Sequence, residues 1–281
     1  MLKSLNTLLA SFAFISFSSF ISFSSAAETL EAEATSQSLT VTLPNYNVTL
    51  SYPQASRLDQ VLLDANKLST NSAKQTDANH YPSPFWLAAQ LIEPKRNEEI
   101  EIEKSKILEN LLFLTQNRPK LALKAESIRD LVQQNRFNYR YFIALDNDLV
   151  RLEPEFNPSL QGNYALITPV RSEMFFVVGG EQTIVPVKQQ NDGDPLHYLN
   201  QVVLPEGSDR TAIYIIQPDG QVSHFSNPIW QRKSAYLAPG AIILSGFVSL
   251  PDEYSQLNQQ IAELLRYMQP IQPNMIKQGN H

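Results

Sequence analysis

The sequence predicts an α+β fold built as two successive units, and three observations predict it. A strand–strand–helix order occurs twice along the 281 residues. A helical hairpin interrupts the first occurrence, and an amphipathic helix follows the second.

The first unit opens with residues 38–43 and 47–52, separated by Pro44-Asn45. Apolar residues alternate with threonine in both, the period of two that a half-buried strand requires. Leu58, Val61, Leu62 and Ala65 then share one helical face, behind Ser56 as a suitable N-cap. The polar stretch 69–80 has loop composition, and 85–92 (FWLAAQLI) reads as a buried strand closed by Pro94. Between 98 and 137 the period becomes helical. Ile107, Leu108, Leu111 and Leu112 mark one helix, and Leu121, Ala125, Ile128 and Val132 mark a second. Asn117-Arg118-Pro119 forms the turn, with the proline suited to the first turn of a helix. The charged residues at 98–106 read as a solvated face. Strand character returns at 140–152 and 164–168, and Pro169 marks a boundary.

The second unit repeats the outline. Residues 174–178 and 183–187 read as strands joined by Gly179-Gly180-Glu181. Asp194 and Pro195 open a short helix, as N-cap and first helical residue. Residues 212–216 and 221–225 form a hairpin about Pro218-Asp219-Gly220, and 241–247 is a last strand. Leu257, Ile261, Leu264, Leu265 and Met268 then fall on one face of a helix that ends before Pro270. That face suits packing on its own domain or docking to a partner protein. The opposite face, Gln256, Gln259, Gln260 and Glu263, lacks the basic residues of a membrane-surface helix.

The first 27 residues have the three-part layout of a signal peptide. Lys3 is the only charge before Glu28, residues 8–23 are apolar but broken by serines, and Ser24-Ser25-Ala26-Ala27 supplies small residues for a cut after Ala26 or Ala27. The apolar run is shorter than the roughly 20 residues of a membrane span. Export is therefore expected, with no stable span after cleavage. Residues 28–37 are acidic and non-periodic, the composition of a disordered mature N-terminus.

There is no cysteine, which excludes disulfides, thiolate metal sites and lipidation of a cleavage-site cysteine. Without Lys3, 21 basic residues face 28 acidic ones, a net charge of −7. That balance argues against nucleic acid as a partner. Motifs for nucleotides, metals and nucleophilic serines are lacking, and the four histidines lack ligand spacing, so no cofactor or metal is implied.

Candidate chemistry concentrates after the hairpin. Asn138-Tyr139-Arg140-Tyr141-Phe142 places an arginine between aromatic rings, a pattern that clamps an anionic sugar while rings stack on its faces. Packing of these residues in a core, with the Arg140 stem over apolar surface, is the alternative. Trp86 and Trp230, the only tryptophans, offer further platforms, and Arg151 a further cation. Asp146 with Asp148, and Glu153 with Glu155, would each share a face of an extended segment. Paired carboxylates serve glycosidases, which makes Asp146 the catalytic candidate, although acids beside Asn147 and Pro154 are ordinary in turns.

The run from Arg140 through Asp146 and Arg151 to Leu152, and then from Asn157 to Gly162 and Tyr164, resembles the group 4 capsule biosynthesis family GfcC. So do Ile215 through Gly220 with Trp230, Pro239-Gly240-Ala241 leading to Phe247, and Leu250 through Ile261. The resemblance implies two tandem β-grasp domains with an inserted helical hairpin and a C-terminal amphipathic helix. In numbers, the expected domains are 38–169, with the insertion at about 96–137, and 170–250, followed by 251–281. It also implies the periplasm of a Gram-negative bacterium, and domains like those of outer-membrane polysaccharide export proteins. The family's notable arginine falls on Arg140, whereas Phe85-Trp86-Leu87 departs from the family's Trp-Pro-Gly.

Three functions follow as expectations. The first is a non-catalytic accessory protein in capsule or exopolysaccharide assembly or export, partnered by the polysaccharide chain or the export machinery. The second is a polysaccharide-modifying enzyme with Arg140 in its cleft and Asp146 nearby. The third is a structural partner that docks by its C-terminal helix.

Overall fold

In the computed structural model, described for residues 38–74, 83–190, 195–226 and 236–271, two five-stranded sheets carry most of the chain. Residues 1–37, which include the stretch expected as a signal peptide and the expected mature N-terminus, lie outside the described residues, as do Asp194 and Trp230.

The first sheet comprises β1 (Leu39–Leu43), β2 (Val48–Tyr52), β4 (Gln90–Ile92), β5 (Arg140–Tyr141) and β7 (Gly162–Ile167), in the order β2-β1-β7-β4-β5. The second comprises β8 (Met174–Val178), β9 (Ile184–Lys188), β10 (Ser208–Ile216), β11 (Val222–Ser226) and β12 (Ile242–Phe247), in the order β11-β10-β12-β8-β9. Counted within each sheet, with the second read from its β9 edge, both run second, first, fifth, third, fourth. In both, the first and fifth strands pair in parallel and the other pairs are antiparallel. Both sheets belong to one compact unit.

Helix α1 (Leu58–Lys74) covers the first sheet. Leu58, Val61, Leu62 and Ala65 meet Leu39, Val41 and Leu43, whose alternation with Thr40 and Thr42 set the strand's face. Ser56 is not its N-cap, because Ser56–Arg57 (β3) pairs instead with Ser159–Leu160 (β6). The first turn is satisfied from afar, Leu58 N donating to Pro158 O at 3.0 Å and Asp59 N to Asn157 Oδ1 at 3.0 Å. The helix also runs into the stretch expected as a loop. Ser69 Oγ and Thr70 Oγ1 both donate to Asn66 O, so their hydroxyls are satisfied within the preceding turn.

Two expected strands shorten. Within 85–92, Trp86–Ala88 is a 3-10 turn and only Gln90–Ile92 joins the sheet. Within 140–152 the strand stops at Tyr141, and α4 (Asn147–Leu152) follows. Asp146 is its N-cap, accepting from Asp148 N and Leu149 N at 3.0 Å each. Asp146 and Asp148 therefore do not share the face of an extended segment.

The inserted hairpin is α2 (Asn97–Asn117) and α3 (Pro119–Gln134). Although it lies within the first sheet's sequence, it packs on the second sheet. Ile107, Leu111, Leu114, Leu121, Ile128 and Leu131 form one core with Phe176, Val178, Leu244 and Phe247. Two hydrogen bonds pin it to the β8–β9 turn: Lys124 Nζ donates to Gly179 O at 2.7 Å, and Ser127 Oγ to Gly180 O at 2.7 Å. Gly179 has φ +80°, and an added Cβ there would strike the Lys124 ammonium.

Helix α6 (Leu257–Leu265) completes that core. Met268 lies past its end, where Phe137 and Met268 form a β-bridge flanked by Asn138 N to Tyr267 O and Gln269 N to Arg136 O. Leu257, Ile261, Leu264, Leu265 and Met268 are all buried. The face that suited a partner protein is thus covered by the chain's own hairpin and sheet. The other face of the second sheet packs on α5 (Pro195–Leu199) through Tyr198 and Leu199.

Candidate functional site

Where β5 leaves the first sheet, the chain meets the β10–β11 turn of the second. Arg140 stands at this junction, 4% exposed. A buried guanidinium needs compensating acceptors, and here backbone carbonyls supply them. Nη1 donates to Pro218 O at 3.0 Å and Arg266 O at 3.5 Å, and Nη2 to Ala89 O at 3.5 Å. One side chain thus ties the residue before β4, the Pro218 turn and the residue after α6. Burial pushes its pKa down to about 10, opposed by the Asp219 charge and reinforced by Arg266. It remains a cation at neutral pH.

A cleft of about 420 Å³ opens beside it, within the size range of small-ligand sites. Trp86, Arg140, Phe142, Asp146, Asp219 and Arg266 supply its aromatic and charged lining. The two guanidinium groups lie over one ring, 5.3 Å from the Phe142 centroid for Arg140 and 4.0 Å for Arg266. Arg266 is fixed by Nε donating to Gly220 O at 2.7 Å and by a 2.6 Å ion pair with Glu263. Gly220, φ +89°, admits the Phe142 ring against its backbone, where a Cβ would collide. Asp219 Oδ1 accepts from Gln221 N and closes the turn. A smaller cavity of about 50 Å³ is also lined by Arg140 and by buried Gln90. Among the described residues, Arg140 Nε and Gln90 Oε1 have no hydrogen-bond partner.

Of the residues singled out by sequence, Trp86, Arg140 and Asp146 come together in this cleft. Tyr139 and Tyr141 do not line it. Tyr139 lies under Arg96, 3.7 Å from guanidinium carbon to ring centroid. The Tyr141 hydroxyl donates to Glu93 at 2.7 Å, and burial with that carboxylate raises its pKa. Arg151 is exposed on α4, away from the cleft. Phe142, the last residue of the aromatic stretch 138–142, lines the cleft as well, whereas sequence reasoning missed Arg266 and Asp219. A lone arginine closing an apolar helix and an aspartate in a Pro-Asp-Gly turn were the available signals.

Cations on an aromatic ring, a tryptophan and two carboxylates in one cleft suit a polar, hydroxyl-bearing ligand. The Asp146 oxygen that caps α4 is already engaged by two N–H groups, which leaves Asp146 a structural task as well.

Two like sheets meeting at an arginine-lined cleft, with a helical hairpin inserted in the first and packed on the second, define the class of protein. Residues 35–171 match the family description "Capsule biosynthesis GfcC, N-terminal", and residues 184–270 match "Capsule biosynthesis GfcC C-terminal". The chain belongs to the GfcC family of capsule biosynthesis proteins. It is also 30% identical over 130 residues to "Uncharacterized protein YjbG" of Escherichia coli (strain K12), a match covering 44% of this chain. The match spans about half of that relative's length, 51%. Among the described residues no helix is long and apolar enough to cross a membrane.

Proposed function

We propose that this chain acts in the periplasm as an accessory protein of capsule or exopolysaccharide assembly and holds a segment of the polysaccharide in the cleft at Arg140. The carrying observation is that cleft, lined by Trp86, Phe142, Arg140, Arg266 and two aspartates. Aromatic faces suit the C–H faces of sugar rings, and the charged groups suit their hydroxyls. Export follows from the first 27 residues, with cleavage after Ala26 or Ala27. The strand order and parallel central pair shared by the two sheets support a β-grasp assignment for each, with a boundary near Pro169.

Binding rather than catalysis is favoured because Arg140 is committed to backbone carbonyls and Asp146 to an N-cap. The test is calorimetric titration with short oligosaccharides released from the capsule of the producing strain. Wild type binds, and Asp219→Asn and Trp86→Ala weaken binding at least tenfold with cooperative unfolding retained. Failure of the wild-type protein to bind, or equal affinity in both variants, overturns the reading.

A further inference from the structure

A second depression lies on the other side of the Arg140 segment, between α2 and α6. It has a volume of about 530 Å³ and is lined by Tyr139, Tyr267, Gln256, Gln259, Gln260, Glu99, Glu103 and Glu263, over an apolar floor of Ile100, Ile107 and Leu264. Its chemistry is specific. Each glutamine amide carries two N–H donors and a carbonyl acceptor, so it can both give to and take from a hydroxyl group. All three glutamines are exposed. The three carboxylates do not make the groove a cation trap, because each is already paired within 2.6 Å: Glu99 with Arg96, Glu103 with Lys106, and Glu263 with Arg266. Their oxygens remain hydroxyl acceptors. Two tyrosine rings complete a wall suited to an uncharged, hydroxyl-rich chain.

The groove and the cleft are joined through the sequence itself. Tyr139 and Arg140 are consecutive, and so are Arg266 and Tyr267. The tyrosine of each pair lines the groove, and the arginine of each lines the cleft. Between the two sites the rings form a chain: Phe142 to Tyr267 is 5.2 Å between centroids, and Tyr267 to Tyr139 is 6.0 Å. We infer that the groove between α2 and α6 is a second carbohydrate subsite, and that one polysaccharide chain runs from the Arg140 cleft over Phe142 and Tyr267 into it. This rests on the cleft reading above and adds to it that the ligand is an extended polymer engaged at two places at once. Two linked contacts on one chain raise the affinity for long ligands without changing that for short ones.

The probe is a length-graded series of oligosaccharides from partial hydrolysis of the same capsule, titrated into the full mature chain. Wild type binds fragments of several repeat units at least tenfold more tightly than single-repeat fragments. Gln259→Ala combined with Gln260→Ala, both on the solvent face of α6, lowers affinity for the long fragments at least fivefold and leaves short-fragment binding and thermal stability unchanged. A wild-type protein that binds short and long fragments equally overturns the second subsite, as does a double variant with undiminished long-fragment affinity. Either result leaves short-fragment binding intact, whereas failure of the cleft itself abolishes that binding.

Discussion

The two sheets share strand order but not burial. In the first, buried and less buried positions alternate along β1 (Leu39, Val41 and Leu43 against Thr40 and Thr42). One face meets α1, and the threonines face outward. In the second, every residue of β12 is buried, and so are four of the five in β8. α5 covers one face, while α2, α3 and α6 cover the other. Both segments that distinguish the halves, the insertion and the C-terminal helix, therefore serve the second sheet. A strand buried on both faces reads as a continuous apolar run, as Ile242-Ile243-Leu244 does. Doubling the cover also carries the hairpin across the molecule, and this places Tyr139 and Arg140 at the junction of the sheets.

This contrast can be broken most strongly inside the hairpin. Leu111 is fully buried between the helices and the second sheet. Leu111→Ala should cost about 2–5 kcal/mol in urea unfolding, the range for emptying a packed leucine site. A loss under about 0.5 kcal/mol, the size of an ordinary surface substitution, would show that the hairpin merely rests on the sheet.

Lys124 sharpens the comparison through pH. It is 0% exposed, and burial pushes its pKa from 10.5 down to about 7, with the Asp209 charge opposing. The folded state then binds fewer protons than the unfolded chain between those values. Stability rises with pH across that window by up to about 1.4 kcal/mol per unit, and below it the penalty is fully present. Lys124→Met removes the titration, so wild type gains on the variant between about pH 7 and about pH 9.5 in paired urea titrations. Parallel stability curves for the two proteins would contradict the lowered pKa of the buried Lys124 amine.

The smallest effect is expected on the exposed face of the first sheet. Thr42 stands opposite Thr49 there, with hydroxyl oxygens 3.4 Å apart. Thr42→Val should change stability by less than about 0.5 kcal/mol, as surface sites do. A loss of about 2 kcal/mol or more would mean that this face is covered as well.

Local periodicity made much of this fold legible. The paired strands, both hairpin helices and the buried face of α6 follow from spacing alone. What spacing cannot supply is the partner of a buried face. The leucines of α2 announce burial, yet nothing in their order says that Phe176 and Leu244 receive them. Short elements were also hidden: α4 has six residues and one buried side chain, Val150, too few to show a period. The capping of α1 by Pro158 and Asn157 comes from about 100 positions away. Lys124 was visible in principle, because it falls on the same helical face as Leu121, Ala125 and Ile128. The site divides likewise. Arg140 stood out among its aromatic neighbours, whereas Asp219 and Arg266 reach it only because the second sheet and α6 fold back on the first.

The central claim is that the junction of the two sheets receives polysaccharide. Amide chemical-shift mapping with short capsule oligosaccharides tests it most directly. The account predicts saturable shifts clustered at residues 86–89, 140–149, 219–221 and 266, with the outer face of β1 and β2 unmoved. Shifts confined to that outer face, or none at saturating ligand, would contradict it.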